Sequence, residues 1–198
     1  MKIVFATHNQ HKLEEVRAIL QRELPAQANL DVCGLSEIGC TEDIPETGNT
    51  LTGNALQKAS YVYERYGCSC FADDTGLEID ALNGQPGVYS ARYAGEPQNP
   101  EKNREKVLFN MRNTENRNAC FRTVIAFIHE GKTFYFDGRV DGEITSEEAG
   151  KQGFGYDPIF KPKGYDDTFA QLPPEVKNAI SHRALAMQKF IDFLKELL

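Results

Sequence analysis

Lys2-Ile3-Val4-Phe5-Ala6-Thr7-His8-Asn9-Gln10-His11-Lys12, with Leu13, Val16, Ile19, Leu20 and Leu24 after it, decides the fold class. Ile3 to Ala6 is a short unbroken apolar run, as expected of a strand covered on both faces. The apolar positions that follow recur three or four apart until Pro25, which predicts an amphipathic helix. Strand, short loop and helix together open an α/β unit. Free backbone N–H groups and the helix dipole at such a loop can hold a phosphate, although Thr7 or Asn9 equally suits an ordinary N-cap. Lys12 falls in the first helical turn, where a cation opposes the macrodipole by a few tenths to ~1 kcal/mol. A nearby anion would repair that mismatch, and neutralising Lys12 in the free protein is expected to leave stability unchanged or slightly higher.

Outward from that stretch, helices and strands interleave. A strand is predicted near Leu30-Asp31-Val32-Cys33, a polar loop from Thr41 to Gly48, and a helix from the spacing of Leu51, Ala55, Ala59 and Val62. Cys68 to Ala72 reads as a strand that ends in Asp73-Asp74-Thr75-Gly76, and Leu77 to Leu82 as another. Asn103 to Met111 is helical in pattern. Phe121 to Ile128 and Thr133 to Val140 flank Glu130-Gly131 as a hairpin. After a Gly- and Pro-rich stretch, Ala186, Phe190, Phe193 and Leu197 mark a final helix, with Ser181 a natural N-cap and the cations His182 and Arg183 in its first turn. Two helices beginning with cations suggest a shared polyanion. The expected architecture is one α/β domain over residues 1–198, with a mixed central sheet flanked by helices and two lobes around a substrate cleft, the hairpin forming the second lobe.

Composition narrows the function classes. Hydrophobic residues at 40% and charged residues at 26% are ordinary globular usage, against disorder or a coiled coil. No apolar stretch approaches the ~20 residues of a membrane span, and Lys2 leads straight into a strand pattern without a signal peptide, so a cytoplasmic protein is expected. Acids outnumber bases by 29 to 22, and the net charge of -7 repels a nucleic-acid polymer while leaving room for a small anion that brings its own metal. Five cysteines are an odd number in a chain large enough to fold without staples, and Cys68-Ser69-Cys70 lacks zinc-site spacing, so reduced thiols and no zinc are expected.

Asp73 and Asp74 follow a run of buried-type residues, a favoured place for ligand groups in α/β sheets. Successive strand side chains point to opposite faces, so one acid is expected to be catalytic and the other supporting. A carboxylate near a polyphosphate is repulsive unless a divalent cation lies between them, and oxygen ligands suit Mg²⁺. Glu42, Asp43 and Glu46 in the polar loop offer a second ligand. Gly153-Phe154-Gly155-Tyr156-Asp157-Pro158 sets an aromatic between glycines, where Phe154 has room to stack on a base.

Six segments then combine into a resemblance. They are Ala6 to Lys12 (ATHNQHK), Ile44 to Gly48 (IPETG), Ala72 to Leu77 (ADDTGL), Pro86 to Tyr93 (PGVYSARY), Gly153 to Phe160 (GFGYDPIF) and Ser181 to Arg183 (SHR). Together, and in this order, they resemble the inosine/xanthosine triphosphate pyrophosphatase family, which removes non-standard purine nucleotides. The resemblance implies a two-lobed α/β fold, a homodimer, and Mg²⁺-dependent hydrolysis of ITP, dITP or XTP to monophosphate and pyrophosphate. It puts Thr7, His8, Asn9, Gln10, His11 and Lys12 on the phosphate-binding loop, Asp74 on the general base and metal ligand, and Glu46 on a second metal ligand. Thr75 matches a substrate-contacting hydroxyl. Phe154, Gly155, Tyr156 and Asp157 match the base pocket, Lys177 a substrate lysine, and His182 and Arg183 the last substrate contacts. Gly53 departs from the family pattern, which often has an acid there. The chain lacks a Walker-type G-x-x-x-x-G-K-[ST] and shows no Ser/His/Asp nucleophile pattern, so direct attack by water is expected. A nucleotide-binding regulator without turnover is the contrasting expectation, against which Asp74 argues.

Overall fold

The computed structural model describes residues 1–25 and 28–198, and of His11 the backbone alone. The opening stretch forms β1 (Lys2–Phe5) and α1 (Gln10–Glu23). Ile3, Val4 and Phe5 are buried, the outcome expected of an apolar run without alternation. Asn9 is the N-cap, its Oδ1 accepting from the Lys12 N–H at 3.1 Å. β2 (Asp31–Gly34) and α2 (Leu51–Tyr66) follow. Thr50 caps α2 by accepting from the Gly53 N–H, and Gly67 closes it in the left-handed region at φ 63°. Then come β3 (Cys70–Ile79), α3 (Pro100–Asn110), β4 (Asn118–His129) and β5 (Lys132–Ile144). The chain ends with β6 (Phe160–Pro162), α4 (Pro174–Ile180) and α5 (His182–Leu197).

The strands make one six-stranded sheet in the order β2-β1-β3-β4-β5-β6. β1 pairs in parallel with β2 and β3, whereas β5 and β6 are antiparallel, so the sheet is mixed. Glu130 and Gly131 both have positive φ, 48° and 74°, as the tightest hairpin turn between β4 and β5 requires.

Two expectations change. Asp73-Asp74-Thr75-Gly76 is not a strand end: β3 runs through it without a break, one strand where the pattern predicts two. Asp and Gly are poor strand formers, but neighbour pairing overrides local propensity. What ends at this point is β1, whose Phe5 pairs with Phe71 and whose continuation makes its bond to β3 from the Ala6 N–H to the Phe71 carbonyl. Asp73 and Asp74 thus lie just past the last β1 partner. The hairpin, in turn, is not a second lobe. The chain divides into unit 1 (Met1–Asp74, Val124–Asp137, Ala186–Leu198) and unit 2 (Thr75–Thr123, Gly138–Leu185), and β4 and β5 contribute residues to both.

Each unit has its own core. In unit 1, Phe5 stacks on Phe71 at 4.5 Å, and Phe190 of α5 lies 4.9 Å from Phe71 and 5.3 Å from Phe127. Leu13, Val16 and Leu20 of α1 join them, realising the predicted helical stripe. In unit 2, Phe121 meets Phe160 edge-on at 4.7 Å among Leu77, Ile79, Val107, Met111 and Ile159. Each such side chain contributes about 1.5–3 kcal/mol on burial, so each unit has a packed interior of its own.

Candidate active site

The unit 1 cluster begins in the loop between β1 and α1. Thr7 Oγ1 accepts from the Asn9 N–H at 3.1 Å, and His8 Nε2 lies 2.9 Å from the Glu42 carbonyl. Gln10 donates to Glu14 Oε1 at 3.1 Å, within its own helix. The His11 side chain lies outside the described residues. Lys12 reaches across to β3, where its Nζ contacts both carboxylate oxygens of Asp73, at 3.1 and 3.0 Å. The first-turn cation therefore already has an anion, supplied by the chain itself.

Alternation along β3 sends the two acids to different helices. Asp73 meets α1 through Lys12, and Asp74 meets α2, its Oδ2 accepting from Asn54 Nδ2 at 3.0 Å. One turn along α2 from Asn54, Lys58 Nζ donates to Glu46 Oε1 at 2.5 Å and to the Asp73 carbonyl at 2.7 Å. Glu46 is thereby drawn from the polar loop to the backbone of the acid pair. Among the described residues, no group of three or more His, Cys, Asp and Glu side chains is arranged to hold a metal ion. Glu46 and Asp74 remain two hard carboxylate donors held from the same helix.

Sequence reasoning passed over Asn54 and Lys58, yet a signal was present. Leu51, Ala55, Ala59 and Val62 line the buried face of α2, and residues 54 and 58 fall on that same stripe at three- and four-residue spacing. A polar group inside an apolar stripe needs a partner, and both partners here belong to the acid-bearing segments.

The unit 2 cluster is built around Phe154. Gly153-Phe154-Gly155 forms a turn in which both glycines have positive φ, 77° and 61°. A Cβ on Gly153 would collide with the Asp157 carboxylate. Asp157, only 3% exposed, accepts from the Phe154 N–H at 2.7 Å and from Lys177 Nζ at 2.5 Å through the same Oδ2. Its place is beneath the turn, seating the aromatic and the lysine. Phe154 itself is 69% exposed, with Lys177 Nζ 5.0 Å and the Arg183 guanidinium 5.8 Å from the ring centre. The Gly155 carbonyl accepts from Arg104 at 3.0 Å, a further tether that sequence reasoning did not find.

Ser181 is the side-chain cap of α5, accepting from the Ala184 N–H at 3.2 Å, so His182 and Arg183 do open that helix. The buried His182 ring lies flat on Phe121 at 4.7 Å and 12°. Thr75 Oγ1 is 2.8 Å from Thr123 Oγ1. Tyr156 donates to the Ser90 carbonyl at 2.7 Å, and burial, helped by the neighbouring Tyr93, pushes its phenol pKa up, so it stays a neutral donor. Unit 1 thus offers paired lysines and carboxylates, and unit 2 an open aromatic face with two cations beside it.

The fold is a mixed six-stranded α/β sheet flanked by helices, with a cluster of lysines and carboxylates in unit 1 and an exposed aromatic ring beside two cations in unit 2. The profile of the Ham1 family matches residues 3–193, and the chain belongs to that family. A dITP/XTP pyrophosphatase of Flavobacterium johnsoniae is 52% identical over 194 residues, covering 98% of either chain. Another, of Porphyromonas gingivalis, is 53% identical over 194 residues, with 98% of this chain and 97% of the relative covered. Among solved structures, the Staphylococcus aureus Ham1 protein superposes with a TM-score of 0.92 at 41% identity over the whole of both chains.

Proposed function

We propose that this protein hydrolyses non-standard purine nucleoside triphosphates of the ITP, dITP and XTP type to the monophosphate and pyrophosphate, in a Mg²⁺-dependent reaction. It is an enzyme of the nucleoside-triphosphate pyrophosphatase class, a hydrolase acting on acid anhydrides, as its family and its curated relatives define. The observation that carries the finer reading is the cluster around Asp73 and Asp74. Lys12 and Lys58 meet Asp73 there, Asn54 meets Asp74, and Lys58 ties in the loop carboxylate Glu46, the composition a metal-chelated triphosphate calls for.

Glu46 and Asp74 fit a Mg²⁺ site, because this ion takes one or two carboxylates from a protein and fills its other positions with phosphate and water. When bound, Mg²⁺ neutralises phosphate charge and makes a coordinated water more acidic. Asp74, oriented by Asn54, accepts the proton of the water that attacks the α-phosphorus. The new oxygen–phosphorus bond forms as the α–β anhydride bond breaks, and pyrophosphate leaves with the electron pair. The Thr7 to Lys12 segment at the N-terminus of α1, with Lys12, Lys177 and Arg183, balances the triphosphate charge. Phe154 stacks on the base, and stacking tolerates any base. Selection therefore falls to polar groups at the purine edge, with His182 and Arg183 the candidates and Thr75 a hydroxyl for the substrate. Asp157 acts one step back, through Phe154 and Lys177.

The two units act as one catalytic domain over residues 1–198, in a cytoplasmic homodimer that takes free nucleotides rather than nucleic-acid polymers. The net charge of -7 supports the last point. Among the described residues no helix is long and apolar enough to cross a membrane. The test is product analysis of dITP turnover with and without Mg²⁺. Pyrophosphate and dIMP in equal amounts, with Mg²⁺ required, is the expected result; orthophosphate as first product rejects the reading. Ligand-induced stabilisation without any product marks a binder instead.

A further inference from the structure

Asn54 is fully buried, in a helical face otherwise made of Leu51, Ala55, Ala59 and Val62. An amide placed there needs partners at both ends, since a buried polar group left unsatisfied keeps the full cost of its lost hydration. It has them: Oδ1 accepts from the Gly48 N–H at 2.8 Å, and Nδ2 donates to Asp74 Oδ2 at 3.0 Å. The two ends are not exchangeable. A backbone N–H can only donate and an ionised carboxylate can only accept, so the orientation of the amide is fixed by its neighbours. Gly48 completes the arrangement, because a Cβ there would come within 2.7 Å of Asn54 Oδ1. The loop backbone can approach the amide this closely only as glycine. Four residues on, Lys58 repeats the pattern, joining Glu46 of the same loop to the Asp73 carbonyl.

We infer that Asn54 is a positioning residue that clamps the end of the polar loop to the Asp74 carboxylate. It orients the general base and, through Gly48, holds the loop that carries Glu46 in one register against β3. This rests on the reading of Asp74 as the base in nucleotide hydrolysis. A side chain that merely satisfied the interior would affect stability and leave turnover per folded molecule alone.

Asn54→Asp separates the two ends. It keeps the volume and the acceptor for Gly48, and it replaces the donor facing Asp74 with an oxygen. Asn54→Ala removes both ends. Both are compared with the wild type as full chains at a temperature where circular dichroism shows each folded. The readouts are steady-state dITP kinetics and the exchange rate of the Gly48 amide proton. For Asn54→Asp, kcat is expected to fall at least ~30-fold with KM changed less than about threefold, while Gly48 stays protected. For Asn54→Ala, kcat falls similarly and Gly48 exchange quickens at least ~10-fold. Asn54→Asp alone carries the kinetic test if the alanine variant does not fold. A kcat within threefold of wild type in the aspartate variant overturns the inference, as does unchanged Gly48 protection in the alanine variant. A wild type that releases no pyrophosphate from dITP rejects the functional reading instead. The Gly48 exchange comparison then still decides whether the clamp exists.

Discussion

The two units hold the lysines of their clusters in different ways. In unit 1, Lys12 and Lys58 are each fixed by oxygen partners on β3 or the loop beside it, Lys12 by both carboxylate oxygens of Asp73 and Lys58 by Glu46 and the Asp73 carbonyl. In unit 2, Lys177 is anchored to the buried Asp157 but also lies over the open Phe154 ring, which Arg183 approaches as well. The difference teaches what each cluster suits. A closed lattice of ion pairs presents fixed charge and can receive a polyphosphate with its counter-ion, whereas an exposed ring beside cations offers a flat apolar surface to a base.

Substitutions can break this comparison from the largest effect downward. Asp74→Asn removes the proposed base while keeping an acceptor for Asn54, so kcat for dITP is expected to fall at least ~10²-fold with melting temperature nearly unchanged. Pyrophosphate release by the folded variant measures it. Lys12→Ala acts on the lattice itself. Asp73, whose side chain is 10% exposed, loses its ammonium partner, and stability is expected to drop by about 1–3 kcal/mol, together with weaker triphosphate binding. Thermal unfolding without ligand shows it. This reverses the outcome expected from the helix dipole alone, which is worth less than the ion pair.

In unit 2 the expectation is the opposite in kind. Phe154→Ala deletes a ring that is already 69% exposed, so melting temperature should hold. Loss of stacking worth ~1–3 kcal/mol should raise KM by roughly five- to a hundredfold with a smaller change in kcat. A Phe154→Ala variant with unchanged KM and a large loss of stability would make the ring structural and remove the contrast between the units.

The last effect is confined to alkaline solution. Burial pushes the Cys70 thiol from 9.0 up to about 12, and the nearby Cys68 adds to the shift. The folded state therefore holds this proton more tightly than the unfolded chain. The stabilisation is complete below pH 9.0 and is lost as pH rises from there to about 12. Cys70→Ala should flatten that decline in a pH series of melting temperatures.

Much of this was legible in the sequence because the signals are local. The run Ile3 to Ala6 and the stripe through Leu13, Val16 and Leu20 are set by which faces are buried, and period alone reveals that. What was not legible depends on distant partners. Asp73-Asp74-Thr75-Gly76 has the composition of a turn, and only its neighbours in the sheet keep it extended. The partner of Lys12 lies 61 residues away, so its cation looked unanswered. Asp157 looked like a polar group for the base, but the geometry of Gly153 and Phe154 closes over it. Asn54 and Lys58 stand between these cases: their place on an apolar stripe was visible, and their targets were not.

The most direct test of the central claim is kcat/KM for dITP, XTP, GTP and ATP at one Mg²⁺ concentration, with pyrophosphate resolved from orthophosphate. A site that hydrogen-bonds a 6-oxo purine leaves a donor unpaired when adenine enters, and such sites discriminate by about 10⁴ where apolar shape alone gives ~10–200-fold. The account predicts pyrophosphate as the product, dITP and XTP as the best substrates, weaker rejection of GTP and strong rejection of ATP. ATP turned over within tenfold of dITP, or orthophosphate as the first product, would contradict it.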